Sequence, residues 1–290
     1  MSAPSSVAWR QAARGLTLAG FGTFLLLNTL GVLPWSFWAD AAAFWPILIV
    51  ALGLRLVLEK LAPWGALVSP VVVLGTLSLV ALRGPTVLEA SGRWRDVRAE
   101  RRDDAGPWRF HGRFAVARLE LDARSLSDDV LVEGRAKGVR TARVDVSRRR
   151  DTPRVRVGSR RRHISGLWRR GPNEHWELAV NDRWPLRADL DVAFTSGYVD
   201  LTTAAVTRLH LDGAFNDLEL RLGRPDTDVR VDIEGAFNDL TLIVPEGVPV
   251  VVDAEGPLNT LDERGGGRRG GPGYRIDLDG ALNSLEVRAP

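Results

Sequence analysis

Four short motifs place an asparagine at one position of a repeat near the end of this 290-residue chain. A row of amides beside carboxylates such as Asp217 and Asp239 could bind calcium or a sugar. Stacked asparagines can instead satisfy one another and the backbone around them, and the glycine-rich nonapeptide that binds calcium is absent, so we favour a structural role. The four asparagines are Asn216, Asn238, Asn259 and Asn283.

The motifs themselves indicate a stacked β architecture. They read Gly-Ala-Phe-Asn-Asp-Leu at 213–218 and 235–240, Gly-Pro-Leu-Asn-Thr-Leu at 256–261 and Gly-Ala-Leu-Asn-Ser-Leu at 280–285, with a weaker copy from about 196. Repeats of this length bury their apolar side only against neighbouring repeats. Alternating residues on both sides of each motif predict strand, tight corner, strand.

The residue types within the motif predict the geometry of the corner. Glycine at the first position and asparagine at the fourth suit left-handed backbone conformations. The residue between them is always large and apolar, and we expect it to point inward, so that one buried column forms from Phe215, Phe237, Leu258 and Leu282.

Shorter alternating runs extend the β prediction toward the N-terminus, bounded by Gly, Pro, Asn and Asp. We therefore predict a β domain over residues 111–290 and a charged, Arg-rich neck or linker over 83–110. The runs are 117–121, 130–133, 143–146, 154–157, 176–180 and 186–194.

The N-terminal residues 1–82 read as a membrane domain. Three nearly uncharged stretches, at about 15–33, 41–58 and 64–82, have the length of transmembrane helices. Basic residues flank the first stretch and are absent from the loop after it, which predicts a cytoplasmic N-terminus. Three spans in a bacterial plasma membrane would place the β domain outside the cytoplasm, whereas a re-entrant third segment would reverse that side.

Charge is distributed unevenly along the chain. Residues 83–170 carry 24 basic and 12 acidic side chains, a net charge of +12, whereas residues 200–290 carry 9 and 17, a net charge of −8. The densest basic run could contact anionic lipid or an anionic wall polymer. A solvated strand face with an exposed loop is the alternative. The run contains Arg148, Arg149, Arg150, Arg160, Arg161, Arg162, Arg169 and Arg170.

An enzymatic function is not indicated by the motifs. The four histidines lack metal-binding spacing, and no nucleophile elbow or phosphate-binding glycine loop is present. We expect no catalytic residue, no cofactor and no metal. Nucleic acid is not an expected partner either, because no signature of a nucleic-acid-binding module is present.

Two stretches carry a resemblance to a known family. The pattern Leu-Leu-Leu-Asn-Thr-Leu-Gly-Val-Leu-Pro at 25–34, followed by Phe-Trp-Pro-Ile-Leu-Ile-Val at 44–50, resembles the membrane region of LiaF-type proteins, which belong to a cell-wall-active antibiotic response family. The segment from Asp191 and the repeats after it resemble the toast-rack, adhesin-like domain that accompanies this region.

The resemblance implies a fold and a role. It implies membrane helices followed by a single-sided right-handed β-solenoid, and regulation of an envelope stress response beside a sensor histidine kinase. It supplies no catalytic residue. A second hypothesis is a structural or adhesive envelope module that forms homo-oligomers through the edge of its solenoid, and the sequence separates the two poorly.

Overall fold

In the computed structural model the chain forms two compact units, Met1–Val87 with Leu167–Arg170, and Leu88–Gly166 with Gly171–Pro290. The residues that the structure describes are 6–29, 32, 45–61, 67–83, 92–101, 106–139, 142–149, 152–159, 174–264 and 271–290.

The first unit contains the helices α1 (Ser6–Thr29), α2 (Trp45–Leu61) and α3 (Val68–Arg83). Helices α1 and α3 approach closely at Gly20. A Cβ atom at this position would lie 2.3 Å from Leu74 Cδ2, so a larger residue would require the Leu74 side chain to shift.

The prediction of three transmembrane helices is wrong. Among the described residues, no helix combines the length and the apolar character that a membrane crossing requires. Helix α1 has 24 residues, but it includes Arg10 and Arg14. Helices α2 and α3 have 17 and 16 residues, which at about 1.5 Å per residue is shorter than the roughly 30 Å apolar core of a bilayer.

The second unit is mostly β. Each of the six short runs predicted as strands lies within one of its strands. In the described residues the strands are β1 (Arg95–Glu100), β2 (Trp108–Arg124), β3 (Val130–Lys137), β4 (Ala142–Arg149), β5 (Thr152–Ser159), β6 (Glu174–Asn181), β7 (Leu186–Leu201), β8 (Val206–Ala214), β9 (Asp217–Leu222), β10 (Val229–Ala236), β11 (Asp239–Ile243), β12 (Val250–Glu255), β13 (Thr260–Arg264), β14 (Tyr274–Ala281) and β15 (Ser284–Arg288).

These strands form two faces that share β2 and β7. Because β2 and β7 have 17 and 16 residues, each passes through a corner from one face to the other. We call β4-β5-β2-β7-β8-β10-β14-β12 the first face and β1-β3-β6-β2-β7-β9-β11-β15-β13 the second face. Pairing is parallel from β2 onward through the repeats, and the antiparallel pairs are β1 with β3, β3 with β6, and β4 with β5.

One strand of each face and the corner between them make a rung. Side chains from both faces meet inside the stack, where Leu211, Ile233, Leu220 and Leu242 are fully buried. This core explains why each motif is flanked by alternating leucine, valine and isoleucine.

The rungs do not stack in chain order. Strands β14 and β15 pair with β10 and β11, whereas β12 and β13 lie outside them at the end of the stack. The register explains this order, because Ala254 and Glu263 occupy the positions that Leu278 and Val287 occupy in the inner rung. The rung with more apolar inward positions takes the inner place, where it buries more surface.

The corners differ from the prediction in which residue is left-handed. The residue before each asparagine has a positive φ, 61° at Phe215 and 59° at Phe237, and the asparagine does not. The left-handed residue breaks the alternation of the strand, so its side chain points out and the asparagine points in. The predicted buried column is therefore wrong: Phe215 and Phe237 are half-buried and Leu258 is 75% exposed.

The first copy of the motif also begins earlier than predicted. Val192 is paired with Gly213, and Phe194 stacks on Phe215 with ring centroids 4.9 Å apart. The equivalent of the motif is therefore 192–197, not the segment from 196. Val116 in β2, with a φ of 54°, continues the same corner one rung further.

Part of the segment 83–110, predicted as a neck, is strand. Strand β1 pairs with β3, and its Val97 and Ala99 are buried in the core. Charged residues on the outward positions conceal this period of two in the sequence. Trp108, at the start of β2, is also almost fully buried.

The corner geometry generates a prediction about stability. Phe237→Ala should cost only about 1 to 2 kcal/mol, because the ring is half-exposed and loses mainly its parallel stacking on Phe215. Leu240→Ala, three residues further in the same rung, should cost about 2 to 5 kcal/mol, because Leu240 is fully buried. Urea denaturation followed by tryptophan fluorescence measures both, and a larger loss at Phe237 would contradict the outward orientation.

Candidate functional site

The asparagines at the corners form one continuous hydrogen-bonded row, which we call the asparagine ladder. Asn216 Nδ2 donates to Asn238 Oδ1 at 2.8 Å, and Asn238 Nδ2 donates to Asn283 Oδ1 at 3.0 Å. Asn283 donates its backbone N–H to Asn259 Oδ1 at 3.1 Å. The ladder follows the spatial order of the rungs, so Asn283 lies between Asn238 and Asn259.

Each asparagine also satisfies the backbone of a neighbouring rung. Asn238 Nδ2 donates to the carbonyl oxygen of Gly213 at 3.1 Å, and Asn238 Oδ1 accepts the backbone N–H of Asn216 at 3.3 Å. Asn216, Asn238 and Asn283 are almost fully buried, so these backbone groups have no access to water. The amides are thus engaged inside the stack, which leaves a ligand no clear access to them.

Asp217 and Asp239, the carboxylates beside the ladder, are adjacent on neighbouring rungs. Burial raises the pKa of Asp217, and the charge of Asp239 raises it further. Burial also raises the pKa of Asp239, although a hydrogen bond with Ser284 opposes this. The environment therefore disfavours the ionised carboxylates that a hard cation such as calcium prefers.

The predicted basic run is only partly within the described residues. Arg148 and Arg149 lie in strand β4, paired with Pro153 and Thr152 of β5. The other members of the run, Arg150, Arg160, Arg161, Arg162, Arg169 and Arg170, lie outside the described residues.

The hairpin formed by β4 and β5, together with β2, contains a basic pocket that the sequence did not indicate. The pocket lies on the outer side of β2, β5 and β4, has a volume of about 380 Å³, and is lined by His111, Arg113, Arg143, Asp145, Arg154 and Arg156. Arginines two residues apart on a strand, such as Arg154 and Arg156, lie on the same side of the sheet. This spacing in the sequence could have indicated that one side of β5 is basic. The pairing of β5 with β2, about 40 residues away in the chain, was not predictable from it.

Register places a gap in the middle of the basic pocket. Gly158 is paired with Arg113 on one side and Arg143 on the other. A Cβ atom at Gly158 would lie 2.6 Å from the carbonyl oxygen of Arg113, so the close pairing of β5 with β2 requires glycine here. The absent side chain leaves room between two guanidinium groups.

His111 lines the basic pocket, and its two contacts fit a neutral ring. Arg154 Nη2 lies 3.3 Å from His111 Nδ1, and His111 Nε2 lies 3.4 Å from Asp191 Oδ2. Because a guanidinium can only donate, Nδ1 accepts and the ring proton is on Nε2. Burial lowers the pKa of His111 from its usual 6.5; Asp191 and Asp189 oppose this, whereas Arg154 and Arg113 lower the pKa further.

A second cluster could in principle hold a metal ion. The ligand atoms of Glu120, His175 and Glu177 lie within 4.8 Å of one another. Arg118 Nε donates to Glu120 Oε1 at 3.1 Å, and Arg135 Nε donates to Glu177 Oε2 at 2.6 Å. The two guanidinium groups already neutralise these carboxylates, so a cation would compete with them, and the cluster is accounted for as an ion-pair network.

Comparisons with known proteins address the family and the fold. Residues 15–57 match the family model of the LiaI-LiaF-like transmembrane region. The resemblance to LiaF-type proteins is confirmed. The match supports membrane association of this chain.

Solved structures are also similar to this chain. A candidate cell adhesion protein from Clostridium sporogenes aligns with a TM-score of 0.55 and 12% identity, over 68% of this chain and 99% of the other. At this identity the likeness shows the fold alone. A candidate adhesin from Bacteroides fragilis aligns with a TM-score of 0.30 and 8% identity, over 69% of this chain and 99% of the other. A comparison with curated proteins found no match.

The asparagine ladder generates a second prediction. Asn238→Ala should cost about 2 to 4 kcal/mol, because it leaves the Gly213 carbonyl and the Asn216 amide buried without their partner. Asn259→Ala, at the more exposed end of the ladder, should cost less than about 1 kcal/mol. Urea denaturation of the two variants tests the difference, and equal losses would contradict a ladder that stabilises the stack.

The basic pocket generates a third prediction, on pH dependence. Arg154→Gln should raise the pKa of His111 and Asp191→Asn should lower it, as measured by NMR titration of the imidazole C–H signals. Because the folded-state pKa lies below 6.5, the unfolded chain takes up the proton first. The stability from the neutral ring is therefore present above about pH 6.5 and is lost as the pH falls through the folded-state pKa. A native His111 that titrates above 6.5 would contradict this.

Proposed function

We propose that this chain is a non-catalytic, membrane-associated accessory protein of a bacterial cell-envelope stress response, and that it regulates by contact with a sensor histidine kinase. The observation that carries the proposal is the LiaI-LiaF-like region at 15–57, joined in one chain to a stacked β unit. The regulatory role is what the resemblance to LiaF-type proteins implies.

The helices offer a surface for such a contact. The space beside Gly20 of α1 is filled by the Leu74 side chain of α3. At Gly15 and Gly22, no described atom lies within 4 Å of a Cβ built on the glycine. Residues seven apart lie on one side of a helix, so the two open glycines share a side. Small residues allow a partner helix to approach closely, and we propose that the kinase packs here.

The features of the β unit favour a function in binding to other molecules over a catalytic function. Its buried amides are used in the asparagine ladder. Glu120 and Glu177 accept hydrogen bonds from arginines, and His175 contacts Glu120. We further propose that the β unit lies outside the cytoplasm, where the net positive charge of residues 83–170 would face anionic envelope components.

A second candidate function is a structural or adhesive module that self-associates through the end of its stack. The observation that favours it is the outermost rung, where Val251, Leu258 and Leu261 are 54%, 75% and 40% exposed. Strands at such an end can pair with another chain. Light scattering of the purified full chain distinguishes this candidate, since Leu261→Lys should then convert oligomers to monomers.

Deletion of the gene is the test of the regulatory proposal. It should change the expression of envelope-stress genes before any antibiotic is added, as measured by transcript sequencing. The full chain should also cross-link to a sensor kinase in membranes, and Gly22→Leu should abolish this cross-link because the larger side chain fills the open side of α1. A reporter fused after Pro290 should be active only outside the cytoplasm.

Matched variants separate loss of contact from loss of structure. Gly53→Leu places the same side chain at an open position of α2 and should leave the kinase cross-link intact. Gly20→Leu collides with Leu74 and should disturb the helices themselves. An unchanged transcriptome under wall-targeting stress, together with no kinase cross-link, would reject regulation and favour the structural module.

A further inference from the structure

We propose that the basic pocket on the outer side of β2, β5 and β4 binds a phosphate-bearing anion. The proposal is independent of the regulatory role, because it concerns the β unit alone. It depends on the register of three strands, on the charges in the pocket and on the size of the pocket.

The register brings two guanidinium groups to one side of a gap. Strand β5 alternates between buried Val155 and Val157 and outward Arg154 and Arg156. Arg156 is paired with His111 of β2 and with Asp145 of β4. Arg143 lies two residues before Asp145 on β4 and is paired with Gly158. Because Gly158 has no side chain, none separates Arg143 from the pocket.

Most arginines elsewhere on the first face are neutralised by its carboxylates. Arg208 and Arg230 both bond to Asp232, with Arg208 Nε at 2.8 Å and Arg230 Nε at 2.5 Å. Burial would raise the pKa of Asp232, but the hydrogen bonds and charges of both arginines together lower it. In these rungs each strand supplies both arginine and aspartate, so the charges pair along the face.

The basic pocket breaks this balance. Arg113 is paired with Asp191 at 3.2 Å, and Arg154 donates to His111. Arg143 and Arg156 make no ion pair with a described residue. Asp145 is the one carboxylate among the described residues that line the pocket, so positive charge remains in excess.

The chemistry of these groups selects the ligand. A guanidinium group presents parallel N–H donors that match two oxygens of a phosphate, and two such groups beside a gap can bind one tetrahedral anion. A volume of about 380 Å³ accommodates a phosphate with its attached glycerol-sized group. Such a group is present both in phospholipid headgroups and in soluble or polymeric phosphate esters, and the shared ligand is the phosphate.

The position of the basic pocket in the chain favours a charged polymer or surface over a lone ion. Arg148 and Arg149 are the last two residues of β4 in the same hairpin. Arg160 follows Ser159 in the sequence, and Ser159 lines the pocket. The segment 83–170 carries a net charge of +12 in sequence, so a ligand with several phosphates would gain further attraction.

The experiment uses the full chain in nanodiscs of phosphatidylcholine. One arm measures binding of glycerol 3-phosphate by calorimetry, and the other measures capture by added vesicles of phosphatidylglycerol, with phosphatidylcholine vesicles as blank. The wild-type chain should bind in at least one arm, more weakly as salt increases. Arg143→Gln with Arg156→Gln should weaken that binding about tenfold or more.

Two further double variants make the result specific. Arg95→Gln with Arg275→Gln removes the same charge at exposed positions on other strands and should change binding by less than about twofold. Arg143→Lys with Arg156→Lys keeps the charge but not the planar donors and should bind between wild type and the glutamine variant. Equal thermal melting curves show that each variant is folded.

Every outcome decides the proposal. Loss of vesicle capture in the glutamine variant identifies a lipid headgroup, and loss of glycerol 3-phosphate binding alone identifies a soluble or polymeric phosphate. Equal binding by the glutamine variant and the Arg95/Arg275 control would overturn the proposal, as would a wild-type chain that binds neither probe.

Discussion

Parallel stacking in register brings the same backbone groups of every rung to the same buried corner, and the asparagine ladder is what satisfies them. Each amide is both donor and acceptor, so Asn238 can accept from Asn216 and donate to Asn283 in one continuous row. A leucine at this position would fill the space but would leave the Gly213 carbonyl without its donor. The stack depends on this interaction because an unsatisfied group would recur at every rung.

The ladder constrains the residues on either side of it. Glycine is required where rungs approach most closely, since a Cβ at Gly235 would lie 1.8 Å from the carbonyl oxygen of Gly213. The residue before the asparagine is left-handed, and at Phe215 and Phe237 stacking of the outward rings offsets part of that strain. The glycine, the left-handed residue and the asparagine of the motif are all required by the same close stacking of rungs. This requirement explains why the motif repeats without any catalytic role.

The candidate site is where the chain departs from the repeat. The β4 and β5 hairpin is antiparallel within a largely parallel face, and among its described residues the arginines outnumber the one carboxylate, Asp145. Period-two alternation in β5 was visible in the sequence, and so was the excess of arginine. The sequence did not show that β5 pairs with β2, and this pairing brings His111 and Gly158 beside those arginines. Non-local pairing has no short-range signal, so the basic pocket could not be predicted.

The sequence by itself determined the local pattern: strand, corner, strand in each repeat, glycine and asparagine at the corner, and a LiaF-type segment at the N-terminus. Those features depend on residues within a few positions of one another. The tertiary structure alone decided that the last rung in the chain lies inside the one before it, because two segments compete for the same edge of β10 and β11 and the more apolar one, with Leu278 and Val287, gains more from burial. It likewise decided that Phe237 points out while Asn238 points in, because backbone groups of neighbouring rungs, distant in sequence, need the amide.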